Sequence, residues 1–157
     1  MALLAIKNEG KEEDGAMSKV AIVYWSGTGN TQIMADTVME GAKAAGAEAS
    51  VFGPAEFTSD MVAGFDGIAF GCPAMGAEVL EEIEFEPMFS TVEGFLSGKK
   101  VGLFGSYGWG DGQWMRDWEE RCNSNGAKLV ADGVMANYAP GEAELESCRN
   151  LGAALAR

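Results

Sequence analysis

The stretch Val20-Ala-Ile-Val-Tyr-Trp25, which runs directly into Ser26-Gly-Thr-Gly-Asn-Thr31, decides the fold. A continuous apolar run suits a strand covered on both faces of a parallel sheet better than an alternating surface strand. The residues after it combine glycines with hydroxyl side chains, a pattern typical of a turn at the start of a helix. This part of the chain therefore predicts a buried strand, an anion-binding turn and a helix.

Similar short apolar runs recur at residues 49–52, 68–72, 101–104 and 129–136. Asp132-Gly133 interrupts the last run and indicates a bulge or a break in that strand. Apolar residues at helical spacing lie between the runs: Met34, Val38, Ala42 and Ala45 before Gly46; Phe89, Val92 and Leu96 after Pro87; Trp114, Trp118 and Cys122 before Gly126; and Leu145, Cys148, Leu151 and Leu155. Alternation of strand and helix implies right-handed crossovers. The prediction is an α/β three-layer sandwich around a doubly wound, five-stranded parallel sheet.

The composition limits the possible partners. The chain has 157 residues, 47% of them hydrophobic, and a formal net charge of -13. This length suits one domain with one sizeable core. Nucleic acid and anionic membranes are not expected as partners, because both need clustered Lys and Arg. The sequence has no long apolar run and no secretory signal pattern, so we expect a cytoplasmic protein.

Three widely spaced cysteines without any His fit neither a disulfide framework nor a zinc site, and we expect buried thiols and no metal.

Residues 1–16 contain a charged stretch without strand periodicity and precede a second methionine, Met17. They are predicted to be a disordered tail or a remnant of an added sequence. Residues 17–157 then form the folded domain and keep a net charge of -11.

Three loops follow predicted strands, at the edge where parallel sheets bind ligands: the first at residues 26–31, the second at 73–78 and the third at 105–112. Residues 26–31 offer hydroxyls and a helix N-terminus, and no Lys or Arg occurs between Lys19 and Lys43. A phosphate would therefore be held by neutral donors and the helix dipole. The loop lacks the Gly-Lys-Ser/Thr ending of a triphosphate-binding loop, and Gln32 replaces the third glycine of a dinucleotide fingerprint.

Aromatic residues divide into two predicted groups. In the loop at residues 105–112, Trp109 lies between two glycines, so we expect it to be exposed and to stack on a planar ligand. Trp114 and Trp118 have helical spacing and are predicted to be core residues, as is Trp25 at the end of the first strand.

These loops resemble those of the flavodoxins of anaerobic bacteria. The resemblance is carried by Tyr24-Trp-Ser-Gly-Thr-Gly-Asn-Thr31, by Ala74-Met-Gly76 with Glu78, and by Phe104-Gly-Ser-Tyr-Gly-Trp-Gly-Asp-Gly112. It extends from Lys19 to the C-terminus, and the fifth strand lacks the long insertion of larger relatives. It therefore implies a short-chain flavodoxin with strand order 2-1-3-4-5 that binds flavin mononucleotide (FMN) between strands one and three.

The resemblance also implies roles for individual residues. Residues of the first loop would hold the phosphate, Trp109 and Met75 would cover the two faces of the flavin ring, and Glu78 would accept a hydrogen bond from ring N3. Gly76 would lie beside ring N5 in a type II′ turn, and reduction would turn its peptide over. Close relatives often carry a polar residue where this chain has Ala77. The implied cofactor-binding residues are Ser26, Gly27, Thr28, Gly29, Asn30, Thr31, Ala74, Met75, Gly76, Ala77, Glu78, Ser106, Tyr107, Gly108, Trp109, Gly110 and Asp111.

The function implied by the resemblance is that of a one-electron carrier, not an enzyme, with no catalytic residues of its own. Glu78, Glu81, Glu82 and Asp111 are expected to repel a reduced flavin and to keep its potential low. The expected partners are ferredoxin-type oxidoreductases and flavodoxin reductases, which would bind through basic faces. The chain itself is expected to be a monomer. An FMN-dependent quinone reductase of the same fold is the alternative, although it needs an open flavin face. A flavin-binding regulatory module is a third possibility.

Overall fold

The computed structural model describes residues 17–157, and the predicted tail at residues 1–16 lies outside them. Strands and helices alternate along the chain: β1 (Lys19–Tyr24), α1 (Asn30–Ala44), β2 (Glu48–Phe52), β3 (Gly67–Gly71), α2 (Phe85–Val92), β4 (Lys100–Tyr107), α3 (Gln113–Ser124), β5 (Lys128–Leu129), β6 (Val134–Asn137) and α4 (Glu142–Ala156). Short 3₁₀ helices lie at Pro54–Glu56, Ser59–Gly64 and Glu93–Phe95.

The strands form one parallel sheet in the order β2-β1-β3-β4-β5, and β6 also pairs with β4. Ile22 of β1 lies opposite Val51 on one side and Ala69 on the other. β5 pairs with the start of β4 and β6 with its end, so the fifth strand is broken where Asp132-Gly133 interrupts its apolar run. The predicted fold class, strand order and break are confirmed.

Both faces of the sheet are buried, as the continuous apolar run of β1 predicts. Val20 and Ile22 belong to a cluster with residues of α1 and α4, whereas Ala21 and Val23 belong to a cluster with residues of α2 and α3. The connections after β1 and β3 thus leave the sheet on opposite sides. The cleft between these two strands is therefore the topological switch point, where doubly wound sheets bind ligands.

The helix ends agree with the prediction after α1 and α3 and differ from it at the start of α2. Gly46 and Gly126 have φ values of 95° and 79°, the left-handed conformation expected after α1 and α3. The second helix was predicted after Pro87, but α2 begins two residues earlier, at Phe85. Proline is tolerated in a first turn because the N–H groups there have no partner within the helix.

All three cysteines are buried and free. Burial raises the pKa of each thiol, in Cys72, Cys122 and Cys148, to about 12. Within residues 17–157, no group of His, Cys, Asp and Glu could hold a metal ion. No helix in the same range is long and apolar enough to cross a membrane.

Candidate functional site

The loop between β1 and α1 is shaped by the hydroxyl of Ser26. Its Oγ accepts hydrogen bonds from the N–H groups of Gly29, at 3.1 Å, and Gln32, at 3.3 Å. Gly29 has a φ of 101° and directly precedes the first residue of α1. The loop therefore folds back on itself and leads the chain to the positive end of the helix dipole.

Thr31 connects this loop to the end of β4. Its side chain is buried, and its Oγ1 lies 3.1 Å from the Oγ of Ser106 and accepts a bond from the Ser106 N–H at 3.4 Å. The hydroxyl is thus engaged with the protein, and the backbone N–H of Thr31 is the group better suited to an anion.

The loop after β3 is a tight turn. Met75 and Val79 exchange two backbone hydrogen bonds of 2.8 and 2.9 Å, so the turn closes at Val79. The predicted type II′ turn around Gly76 spans four residues, from Met75 to Glu78, and closure one residue later corrects that prediction. Gly76 has the predicted positive φ, 48°. Glu78 has a φ of 56°, a conformation that residues with a Cβ adopt rarely and mostly where the structure enforces it.

The carboxyl group of Glu78 lies between the second and third loops. Its Oε1 is buried and has no hydrogen-bond partner among the described residues. Gly110, whose φ is 98°, approaches it so closely that a Cβ there would lie 2.7 Å from Glu78 Cδ. Glu78 also borders a small cleft of about 150 Å³ beside Trp114 and Trp118. A buried carboxylate oxygen without a donor marks a place where a ligand N–H would be favoured.

The three loops surround a cavity of about 270 Å³ at the carboxyl ends of β1, β3 and β4, slightly smaller than a typical ligand pocket. Eight predicted site residues line it: Gly27, Thr28, Asn30, Ala74, Met75, Ser106, Tyr107 and Gly108. Nine others do not: Ser26, Gly29, Thr31, Gly76, Ala77, Glu78, Trp109, Gly110 and Asp111. Trp109 is 70% exposed on the rim, as expected of a residue between glycines.

Three lining residues were not predicted as site residues: Trp25, Pro73 and Tyr138. The core prediction is confirmed for Trp114 and Trp118, but it is wrong in part for Trp25. The Trp25 ring packs against the core and also lines the cavity, and its Nε1 donates to Glu84 Oε1 at 2.7 Å. Each of the three residues directly follows a strand or lies one residue beyond it, which is the signal that could have identified it.

A larger, more open groove of about 560 Å³ lies between α4 and residues 131–135. It lies beside the outer strand, and although the first turn of α4 borders it, the carboxylates of Asp132 and Glu144 line it and disfavour an anion. The cavity at the switch point is therefore the better candidate site.

The chemistry of the cavity region fits FMN. Hydroxyl and N–H donors lie on one side, aromatic and thioether groups on another, and an unpartnered carboxylate oxygen lies nearby. A phosphate, an apolar planar ring and a ring N–H are the respective complements of these groups.

Comparisons with known proteins give a family that agrees with this fold and this cavity. Residues 22–152 match the family model described as flavodoxin. The chain is 46% identical to a flavodoxin of Clostridium beijerinckii over 135 residues, which cover 86% of this chain and 97% of that protein. It is also 46% identical to a flavodoxin of Megasphaera elsdenii over 138 residues, or 88% and 98% of the two chains.

A solved structure, the solution structure of two-electron reduced Megasphaera elsdenii flavodoxin, matches with a TM-score of 0.81 at 47% identity and covers 87% of this chain and 98% of that one. Both the sequence and the fold thus match over nearly the whole length of these relatives. The chain belongs to the flavodoxin family of FMN-binding electron carriers.

Proposed function

We propose that the chain transfers single electrons at low potential between redox proteins, using one FMN held without a covalent bond in the cavity at the switch point. The observation that supports this most is the glycine and hydroxyl loop at the start of α1, which borders a cavity with aromatic and thioether lining. When bound, FMN supplies a ring that accepts and releases one electron at a time. The protein's own residues bind the cofactor, orient it and set its surroundings.

In this proposal, residues 26–31 bind the phosphate. The N–H groups at the start of α1 and the hydroxyls of Ser26 and Thr28 donate to it. Ser26 Oγ already accepts two bonds, so its own proton is free for a phosphate oxygen. Among residues 17–157, no Lys or Arg lines the cavity, and the helix dipole therefore offsets part of the negative charge.

The flavin ring lies between Met75 and Trp109 in the same proposal. Glu78 Oε1 accepts a hydrogen bond from ring N3, which satisfies an otherwise unpartnered buried oxygen. Backbone groups of residues 106–110 meet the pyrimidine edge, and the turn with Gly76 and Ala77 lies beside ring N5.

Ligand binding to the apoprotein tests the phosphate assignment. We expect tight binding of FMN, much weaker binding of riboflavin and no binding of FAD, because one hydroxyl loop and one helix start provide for a single terminal phosphate. Calorimetric titration with each compound measures this. Equal affinities for riboflavin and FMN would rule out the role of residues 26–31.

The family membership favours the electron carrier over the quinone reductase. The functional difference can be measured by adding NADH and a quinone to the protein loaded with FMN. A carrier should show negligible turnover until a separate reductase is added. Rapid turnover by the protein alone would contradict the carrier function.

Flavodoxins exchange electrons with redox partner proteins, and we propose that this chain meets basic faces of ferredoxin-type oxidoreductases and flavodoxin reductases as a cytoplasmic monomer. The net charge of -13 and exposed carboxylates at Glu82, Glu84 and Asp111 near the second and third loops support such complementarity.

A further inference from the structure

Tyr138 follows the last residue of β6 and has an unusual backbone conformation. Its φ is 62°, and among residues 17–157 the only other residue besides glycine with a positive φ is Glu78. A bulky side chain disfavours this conformation, and strained residues of this kind cluster where a protein holds a ligand.

Local packing does not account for this strain. The Tyr138 side chain is 64% exposed, so little apolar area is gained by placing the ring where it is. Yet the ring lines the same cavity as Gly27, Thr28 and Asn30 of the first loop. An exposed aromatic ring that borders a ligand cavity has apolar area that a bound ligand would remove from water.

Neighbouring hydrogen bonds hold the backbone at Tyr138 in position. The Tyr138 N–H donates to the Tyr107 carbonyl at 2.7 Å, and Asn137 Nδ2 donates to the Gly108 carbonyl at 2.9 Å. A Cβ on Gly108 would lie 3.3 Å from Tyr138 Cε1 and 3.5 Å from its hydroxyl. The end of β6 thus anchors the third loop and holds the ring edge against Gly108.

We propose that Tyr138 is a further cofactor-binding residue, whose ring packs against bound FMN at the wall of the cavity beside Gly108 and slows its release. The contact is made by the ring face, because the Cε1 edge and the hydroxyl both lie against Gly108. The inference rests on the proposed binding of FMN in this cavity.

The test compares FMN dissociation from Tyr138→Gly, Tyr138→Phe and Phe95→Ala with dissociation from the wild type. Phe95 is a matched control, since its side chain is 59% exposed, close to the exposure of Tyr138. It lies before the start of β4, whereas the cavity lies at the carboxyl end of that strand. Release of FMN is followed by the rise in its fluorescence, and equilibrium affinity by calorimetry. Urea unfolding of each apoprotein separates a loss of binding from a loss of folding.

Tyr138→Gly should raise the Kd about tenfold, mostly through faster dissociation, as expected for the loss of one stacked or packed aromatic ring. Its apoprotein should be as stable as the wild type or more stable, because glycine adopts a positive φ without a steric penalty. Tyr138→Phe should keep the Kd within about twofold, since the ring remains. Phe95→Ala should leave the Kd unchanged.

Unchanged FMN dissociation from Tyr138→Gly would overturn the inference while leaving FMN binding itself intact. So would an equal loss in Tyr138→Phe and Tyr138→Gly, because the hydroxyl would then make the contact. A fall in apoprotein stability parallel to the fall in affinity would assign Tyr138 a structural role. Failure of the wild type to bind FMN would instead contradict the proposed function, and this inference with it.

Discussion

Glu81 shows how much a single carboxylate contributes to the second loop. It is buried, and its two oxygens accept hydrogen bonds from the N–H groups of Ile83, Glu84 and Phe85 at 2.8 to 2.9 Å. Burial by itself would raise the pKa of Glu81, but these three bonds outweigh it and hold the pKa below its usual value. Glu81 thus caps α2, and it is not one of the free surface charges expected to repel a reduced flavin.

Replacing Glu81 with Gln should lower the free energy of unfolding by about 1 kcal/mol, because the amide keeps one acceptor oxygen but loses the negative charge and the second acceptor. Because the folded pKa is depressed, the stabilisation by ionised Glu81 is complete above the ordinary glutamate pKa and is lost as the pH falls through the folded value. Urea unfolding at neutral and acidic pH should show the difference between wild type and variant shrinking in acid. Glu82→Gln is the control, and a pH-independent difference would argue against the cap.

The backbone conformation of Gly76 can be tested by substitution. Its φ is 48°, and a Cβ there would have no atom within 4 Å, so a substitution strains only the backbone. If FMN binds here as proposed, the family resemblance implies that the peptide at Gly76 would turn over on reduction and that its carbonyl would then accept a hydrogen bond from ring N5. Gly76→Val should therefore lower the potential of the first one-electron step by about 60 mV, because strain of 1 to 2 kcal/mol opposes this hydrogen bond.

Gly98 provides the matched control for that measurement. It also has a positive φ, 78°, and a Cβ added there would have no atom within 4 Å. Gly98 lies before the start of β4, however, and the cavity lies at the carboxyl end of that strand. Gly98→Val should strain the protein similarly and leave the potential unchanged in a reductive titration. If the two variants shift the potential equally, Gly76 has no special role in the electron-transfer step.

At the scale of elements, Arg121 joins α3 to α2. Its guanidinium bonds Glu86 at 2.6 Å and Glu93 at 2.7 Å, and its Cζ lies 4.9 Å from the centre of the Phe89 ring. The hydrogen bonds from Arg121 are the largest cause of the lowered pKa of Glu86. Because α2 follows the second loop and α3 follows the third, this cluster helps to fix the distance between the two loops.

Arg121→Met should lower the free energy of unfolding by about 1 to 3 kcal/mol. That is less than the loss of a fully buried ion pair, because all three charged side chains keep part of their contact with water. Arg116→Met, which removes a far more exposed pair with Asp111, should cost less than about 1 kcal/mol. Thermal unfolding of both apoproteins measures the difference, and equal losses would contradict a specific role for the cluster.

The elements also show what the sequence could predict. Apolar periodicity located the strands and helices, and Asp132-Gly133 marked the break between β5 and β6, because these signals are local. The position of Trp25 in the cavity depends on packing with residues distant in sequence, such as Glu84. The cap by Glu81 is local, but residue types alone do not show that this carboxylate turns inward to the N–H groups of residues 83–85. The positive φ of Tyr138 is equally hidden, since no local pattern requires it of a tyrosine. Turn closure at Val79 depends on backbone pairing that residue types alone do not specify.

At the scale of the whole molecule, charge should control how partners arrive. A net charge of -13 creates a long-range field that steers basic surfaces toward the protein. We expect the rate of electron transfer with a competent reductase to fall steeply as ionic strength rises, because salt screens this attraction. Stopped-flow measurements from low to high salt test this. Glu82→Gln should weaken the salt dependence slightly, and rates independent of salt would contradict steering.

The buried cysteines have a practical consequence for labelling. With pKa values of about 12, their thiols hold almost no reactive thiolate at neutral pH, and the fold shields all three from solvent. The native protein should therefore take up no maleimide until it unfolds. Ile83, whose side chain is 84% exposed, could then be replaced by a single cysteine that carries a fluorophore or spin label. Such a probe would report the docking of a redox partner without removal of any native thiol.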